Sequence, residues 1–195
     1  GILDNWLPAG FALLGAFPYF WLAMVLSFGL AFQWELFPIR HAYGSHVQPS
    51  WSWSFVDSVA RHLFLPALTL VLASMAGWIL TMRSGMIRVL GEESITYARA
   101  RGLKEKRIFW QYAVRNAVVP SLTSFGMALG FVVSGTLLTE MIFSYPGQGY
   151  VLIQAVQSQD YPLLQGLFLT ISLSVLLANF LVDLLVAIID PRTRS

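Results

Sequence analysis

An all-α bundle of about four membrane-crossing helices is the fold class this sequence predicts, on three observations. The 195 residues are 56% hydrophobic and only 11% charged, against roughly 25% charged in a soluble domain. Four long stretches carry no Asp, Glu, Lys or Arg. Of the twelve Lys and Arg residues, ten fall in segment 83–115 and the C-terminal tail. A chain of this size cannot hide so much apolar surface in one water-facing core, so lipid is the natural solvent for the excess. There is no sequence basis for a soluble enzyme.

The charge-free runs are Asn5–Trp34, His62–Met82, Asn116–Thr139 and Tyr161–Val182. About 20 apolar residues cross ~30 Å of hydrocarbon as a helix. This places spans near 10–32, 63–82, 117–138 and 165–188, within one transmembrane domain covering residues 1–195. Helices are required because an unpaired backbone amide in lipid costs several kcal/mol. Pro18, Pro66 and Pro120 fall in or near the spans, where membrane helices tolerate them. The sequence opens on Gly1 without a basic n-region or a small-residue cleavage site. It does not read as a signal peptide, and an N-terminal truncation is expected.

Orientation follows from the basic residues. Segment 83–115 holds Arg83, Arg88, Arg99, Arg101, Lys104, Lys106, Arg107 and Arg115, and the tail adds Arg192 and Arg194. Only Arg40 and Arg61 lie elsewhere. The positive-inside rule puts segment 83–115 and the C-terminus in the cytoplasm. Segments 33–61 and 140–162, with Trp34, Trp51, Trp53, Tyr145, Tyr150 and Tyr161, then face outward.

Segment 83–115 is too long for a plain connector. Glu92 and Glu93 favour a helix start, and Gly102, preceded by Arg99 and Arg101, fits a helix stop. A second helix begins near Lys104 and runs into the third span. The product is a helix–Gly–helix elbow. Ile95, Ala98 and Gly102 recur at helical spacing, with a basic rim at Arg99 and Arg101. Such a ridge suits docking in a groove of a partner, and on that reading bulk at Ala98 blocks the partner. The alternative is a basic helix lying on anionic headgroups.

On the third span, Gly126, Gly130 and Ser134 lie four apart, a spacing that lets helices approach closely. Asp183 interrupts an apolar stretch, and a hydrogen bond to a neighbouring helix is the expected reason. Glu140 and Asp160 bracket an outer segment in which Pro146, Gly147 and Gly149 mark a turn and Tyr150–Ser158 a short helix. His41, His46 and His62 lack metal-ligand spacing, so no metal site is expected. Neither Lys104 nor Lys106 belongs to a Walker A loop, and no HExxH or GxSxG pattern occurs. Net charge is +2 and gives no case for nucleic acid. There is no cysteine.

Three motifs carry a family resemblance. Tyr97-Ala-Arg-Ala-Arg-Gly-Leu-Lys-Glu-Lys-Arg, followed by Ala113-Val-Arg-Asn-Ala-Val-Val-Pro120, resembles the cytoplasmic loop of ABC-importer permeases of the dipeptide/oligopeptide/nickel branch. Glu140-Met-Ile-Phe-Ser-Tyr-Pro-Gly-Gln-Gly, with Asp160-Tyr-Pro following, resembles the family's outer loop. Asn179-Phe-Leu-Val-Asp-Leu-Leu, ending Asp190-Pro-Arg, resembles its last span and tail. Thr96-Tyr97-Ala98 replaces the Glu-Ala-Ala of the wider superfamily, so no glutamate role is carried to position 96.

The resemblance implies a type I importer permease fold in a prokaryotic inner membrane. The chain would form part of a solute path, with di- and oligopeptides as cargo; nickel or another small solute is the alternative, as is a carrier or scaffold outside this class. It implies an ATPase-coupling loop at Glu93, Ile95, Tyr97, Ala98, Arg99, Ala100, Arg101, Gly102, Leu103, Arg115 and Asn116. This chain would bind no cofactor, ATP being used by the partner. The partners implied are ABC ATPase subunits, a second permease subunit, a periplasmic or lipid-anchored solute-binding protein at the outer loop, and membrane lipid.

Overall fold

The computed structural model describes residues 10–13, 15–133 and 136–189. Ser134 and the tail with Arg192 and Arg194 lie outside the described residues. Among those described there is no β-strand.

The predicted first span, 10–32, is two helical pieces. Helix reaches Ala16, the chain breaks at Phe17–Pro18, and α1 runs Tyr19–Leu26. A proline disfavours helical backbone in the residue before it. Pro18 instead starts a fresh helix, its carbonyl accepting the Trp21 N–H at 3.0 Å. Phe17 stacks on Trp21 across the break at 4.6 Å. α1 continues as a π-helical segment, Ser27–Gln33.

α2 is one helix of 38 residues, Trp53–Leu90, so the predicted 63–82 is only its middle. Its length, about 57 Å at 1.5 Å per residue, is nearly twice the hydrocarbon thickness. Ser52 caps its start, accepting the Phe55 N–H at 3.3 Å. Next come α3, Glu93–Ala100, and α4, Glu105–Arg107. α4 passes through a π-helical segment, Ile108–Val114, into α5, Arg115–Val133. The third predicted span reached 138. Thr136 is non-helical, at φ −94 and ψ 76, and a new helix, α6, runs Leu137–Ile142. α7 is Gln148–Gln157 and α8 is Tyr161–Ile189. Among the described residues, α2 and the Tyr161–Leu185 part of α8 are long and apolar enough to cross a membrane.

α5 packs against both α2 and α8, α1 and α6 pack on α2, and α7 bridges α6 to α8. Two small cores sit at opposite ends. One joins Ala23, Ala31, Leu65 and Phe143. The other joins Val89, Ile95, Ala98, Ile108, Ala113 and Ala117. Between them large apolar side chains face outward, as along α8 from Phe168 to Leu185. A water-soluble core would bury these, whereas a lipid-facing helix exposes them.

Three short helices end in the same closure, in which the last carbonyls accept N–H groups from beyond the helix. In α3, Leu103 N–H reaches the Ala98 carbonyl and Gly102 N–H the Arg99 carbonyl. In α6, Tyr145 N–H reaches the Glu140 carbonyl and Ser144 N–H that of Met141. In α7, Asp160 N–H reaches the Ala155 carbonyl and Gln159 N–H that of Val156. The turning residues are left-handed: Gly102 at φ 74, Ser144 at φ 45 and Gln159 at φ 55.

The α6–α7 cap shows why its motif residues are what they are. The Glu140 carboxylate accepts the Thr136 N–H at 3.1 Å and the Tyr150 N–H at 2.8 Å. It thereby satisfies donors at the starts of α6 and α7. A Cβ on Gly147 would run into that carboxylate, and one on Gly149 would lie 2.8 Å from Leu137 Cα. Asp160 Oδ1 accepts the Leu163 N–H at 3.1 Å and caps α8. Pro146 and Asp160 are the exposed members of this set, and Pro146 lines a shallow cleft with His41 and Tyr43.

This cap should respond to volume and to backbone strain in opposite senses. Gly149→Ala is expected to cost about 1–3 kcal/mol through backbone overlap. Gln159→Gly is expected to gain about 1 kcal/mol by relieving a left-handed non-glycine. Thermal unfolding in detergent reads both; a stabilising Gly149→Ala would contradict this packing.

Candidate functional site

The elbow is built by burying one face of α3. Ile95 is fully buried and Ala98 is 4% exposed. They pack with Val89 from the end of α2 and with Ile108, Ala113 and Ala117 beyond the turn. Met82, Met86, Leu103 and Tyr112 complete this core. The predicted ridge divides: Ile95 and Ala98 are turned inward, whereas Gly102 lies past the end of α3 and is exposed. Ile95 and Ala98 hold α3 to its own chain and are not presented to a partner. Extra volume at Ala98 would clash inside this core. The hydrophobic gain favours this arrangement: an eight-residue helix alone is marginal in water, and its stability comes from packing.

The opposite face of α3 is open. Glu93, Ser94, Thr96, Tyr97, Arg99, Ala100 and Arg101 are exposed, Tyr97 at 67%. Ser94 Oγ lies 3.4 Å from Glu92 Oε2 at the helix start. Gly102 supplies the left-handed residue that ends α3, a conformation costing an L-residue roughly 1–2 kcal/mol. Leu103 then folds back, half-buried, onto the core.

One residue that the sequence reading missed closes the elbow. Glu105 receives Arg99 Nε at Oε1, 2.8 Å, and Arg99 Nη2 at Oε2, 3.4 Å. The pair bridges the two limbs across Gly102. The hydrogen bond to Glu105 raises the Arg99 pKa, and the hydrogen bond from Arg99 lowers that of the Glu105 carboxyl. A lowered folded value means the contribution is present above the ordinary glutamate range and fades as pH falls through the lowered one. Both side chains are at least half exposed, so the pair fixes geometry more than it adds stability. The six-residue spacing is invisible to helical pattern rules, which look three or four residues ahead.

Arg115 is exposed and Asn116 half-buried on the second limb, beyond the π-helical segment. Gly126 and Gly130 lie on α5. Asp183 is exposed, and no hydrogen bond or ion pair to it is seen among the described residues. α8 is packed on one side only, where Val182 is buried; one residue further round the helix, Asp183 faces away from that contact. Among the described residues no group of three His, Cys, Asp or Glu is placed to hold a metal ion.

Comparison with known proteins agrees with the motif resemblance. The model of the family described as binding-protein-dependent transport system inner membrane component matches residues 1–195. The dipeptide transport system permease protein DppB of Escherichia coli (strain K12) is 38% identical over 212 aligned residues, covering 100% of this chain and 62% of the relative. The di/tripeptide transport system permease protein DppB of Pseudomonas aeruginosa (strain UCBPP-PA14) is 44% identical over 141 residues, covering 72% and 42%. The oligopeptide transport system permease protein AppB of Bacillus subtilis (strain 168) is 33% identical over 177 residues, covering 91% and 54%. The chain thus spans less than two thirds of the length of these relatives. Matched along its whole length, and built as apolar helices joined by an elbow and a capped turn, the chain belongs to the family of binding-protein-dependent transport system inner membrane components.

Proposed function

We propose that this chain is the membrane-spanning permease subunit of an ATP-driven importer of di- and oligopeptides. The observation that carries the coupling role is the two-faced α3. Its inner face is locked by Ile95 and Ala98 to the ends of α2 and α5, and its outer face is open. A push on the outer face therefore moves the two long helices together, because a packed core transmits displacement instead of absorbing it. The Arg99–Glu105 pair keeps the two limbs at a set angle while this happens.

A separate ATPase subunit supplies the push. It docks on Tyr97, Ala100 and Arg101, with Glu93 at the helix start; Tyr97 and Arg101 are of the residue types that dominate interface energetics. The peptide substrate class is supported by the printed names of the relatives. Four spans, near 10–32, 63–82, 117–138 and 165–188, put the elbow and the C-terminus in the cytoplasm, in keeping with the basic excess of segment 83–115. The outer cap carries the contact with a solute-binding protein through the surface around Pro146 and His41, since the carboxylates of Glu140 and Asp160 are engaged within the chain. A second permease subunit completes the path, and Asp183 faces outward towards such a neighbour.

Sidedness is tested by labelling. Ser94→Cys, with no other cysteine in the chain, is expected to react with membrane-impermeant maleimide only from the cytoplasmic side. Reaction from the periplasmic side alone refutes the topology.

Docking and packing separate by mutation. Tyr97→Ala with Arg101→Glu is expected to leave thermal stability unchanged and to weaken ATPase co-purification by tenfold or more, as hot-spot losses of about 2 kcal/mol imply. Ala98→Trp is expected to lower stability by about 1–3 kcal/mol before any effect on docking. Retention of ATPase and uptake by the Tyr97/Arg101 variant would remove this face from the coupling role.

Gly102→Val should insert normally but lose ATP-driven uptake, as the left-handed turn costs a β-branched residue about 1–2 kcal/mol or more. Normal uptake in that variant would show that the elbow angle does not matter.

A further inference from the structure

The second limb of the elbow carries a surface apart from the α3 face proposed to dock the ATPase. Trp110, Gln111, Tyr112 and Arg115 line an open cleft of about 630 Å³ on the π-helical segment. Trp110 is 60% exposed, and Phe109 stands edge-on against it at 5.2 Å. Arg107 Nε donates to Gln111 Oε1 at 2.8 Å, which leaves the Gln111 amide NH₂ as a donor towards the cleft. Lys104, Lys106 and Arg107 are exposed beside it. The one acid on this limb, Glu105, is already held by Arg99. Four cations therefore stand here without an acidic partner among the described residues: Lys104, Lys106, Arg107 and Arg115.

Depth decides the occupant. Arg115 is the last charged residue before the charge-free run that begins at Asn116, so it marks the edge of the hydrocarbon. Trp110 lies five residues further out, about 7 Å along the axis. The polar layer on each side of a bilayer is roughly 5–8 Å thick, and tryptophan and basic residues are its usual protein occupants. A protein partner docking at this depth would have to displace lipid.

We infer that this cleft is a binding site for the phosphate headgroup of an anionic phospholipid. Arg115 and Gln111 donate to the phosphate, Trp110 and Phe109 lie beside it in the interfacial layer, and Lys104, Lys106 and Arg107 hold the surrounding negative headgroups. The elbow would then have one limb on the ATPase and the other on the membrane. The inference rests on the proposed topology only in placing this limb at a bilayer surface, and its test needs no ATP turnover.

The experiment is native mass spectrometry of the whole purified transporter, titrated with phosphatidylglycerol or phosphatidylcholine. The wild type is expected to retain phosphatidylglycerol in preference to phosphatidylcholine. Arg115→Gln with Lys106→Gln should reduce phosphatidylglycerol affinity by about fivefold per charge removed and leave phosphatidylcholine unchanged. Arg115→Lys, which keeps the charge, should retain most of the preference and controls for folding. Excess inorganic phosphate should not compete, because it lacks the acyl chains that hold the headgroup at the depth of Arg115. Equal retention of the two lipids, an unchanged preference in the double variant, or full competition by free phosphate would each overturn the inference. Loss of the ATPase from the double variant with lipid retention intact would also overturn it, by assigning the cleft to the protein interface. Failure of the coupling proposal shows separately, in the Tyr97 and Arg101 variants.

Discussion

Hydrocarbon cannot hydrogen-bond to a peptide group, and the rest of this structure follows from that constraint. Inside the membrane the chain pairs its backbone within helices, and it changes direction where a proline, a cap or a left-handed residue ends one. The turns are therefore where polar side chains and special backbone conformations collect. Glu140 takes up two amides, Asp160 caps α8, and Gly102, Ser144 and Gln159 provide left-handed closures. The same constraint explains why the two buried cores are small and terminal. In the middle of the bilayer lipid is as apolar as leucine, and side chains gain little by turning away from it.

At the elbow this logic gives a mechanical part. A short helix cannot stand alone, so Ile95 and Ala98 bind it to the ends of two long helices. Its remaining face is exposed. Burial and exposure are thus divided between the two faces of one short helix. Gly102 sets the angle between the limbs and the Arg99–Glu105 pair holds it. Neither is strong in isolation. Their effect comes from acting at the turn between α3 and the limb leading into α5, on the side away from the core that the two share.

The outer cap has a similar economy. Its motif residues, Glu140, Gly147, Gly149 and Asp160, look like candidates for recognition because they are polar or small in a membrane protein. The geometry assigns them to construction. A carboxylate enclosed between two helix starts needs glycine beside it for lack of space. The exposed surface of this segment lies around Pro146, Asp160 and the loop of His41.

The sequence by itself determined that this is a helical membrane protein with a glycine elbow, because charge distribution, run length and glycine position are local and the bilayer imposes a fixed length on each crossing. It also showed that Ile95 and Ala98 share a face of a helix, since helical periodicity is local. Which way that face points was decided only by tertiary structure. The period is the same whether the ridge meets a partner or the chain's own core, and Ile108, Ala113 and Ala117, which cover it, lie beyond the turn. The break at Pro18, the interruption at Thr136 and the reach of α2 past both ends of its apolar core were likewise set by contacts and caps that composition averages away. The Glu105 partner of Arg99 and the exposed position of Asp183 complete that list. Each depends on where two segments meet in space, and a linear pattern carries no record of that.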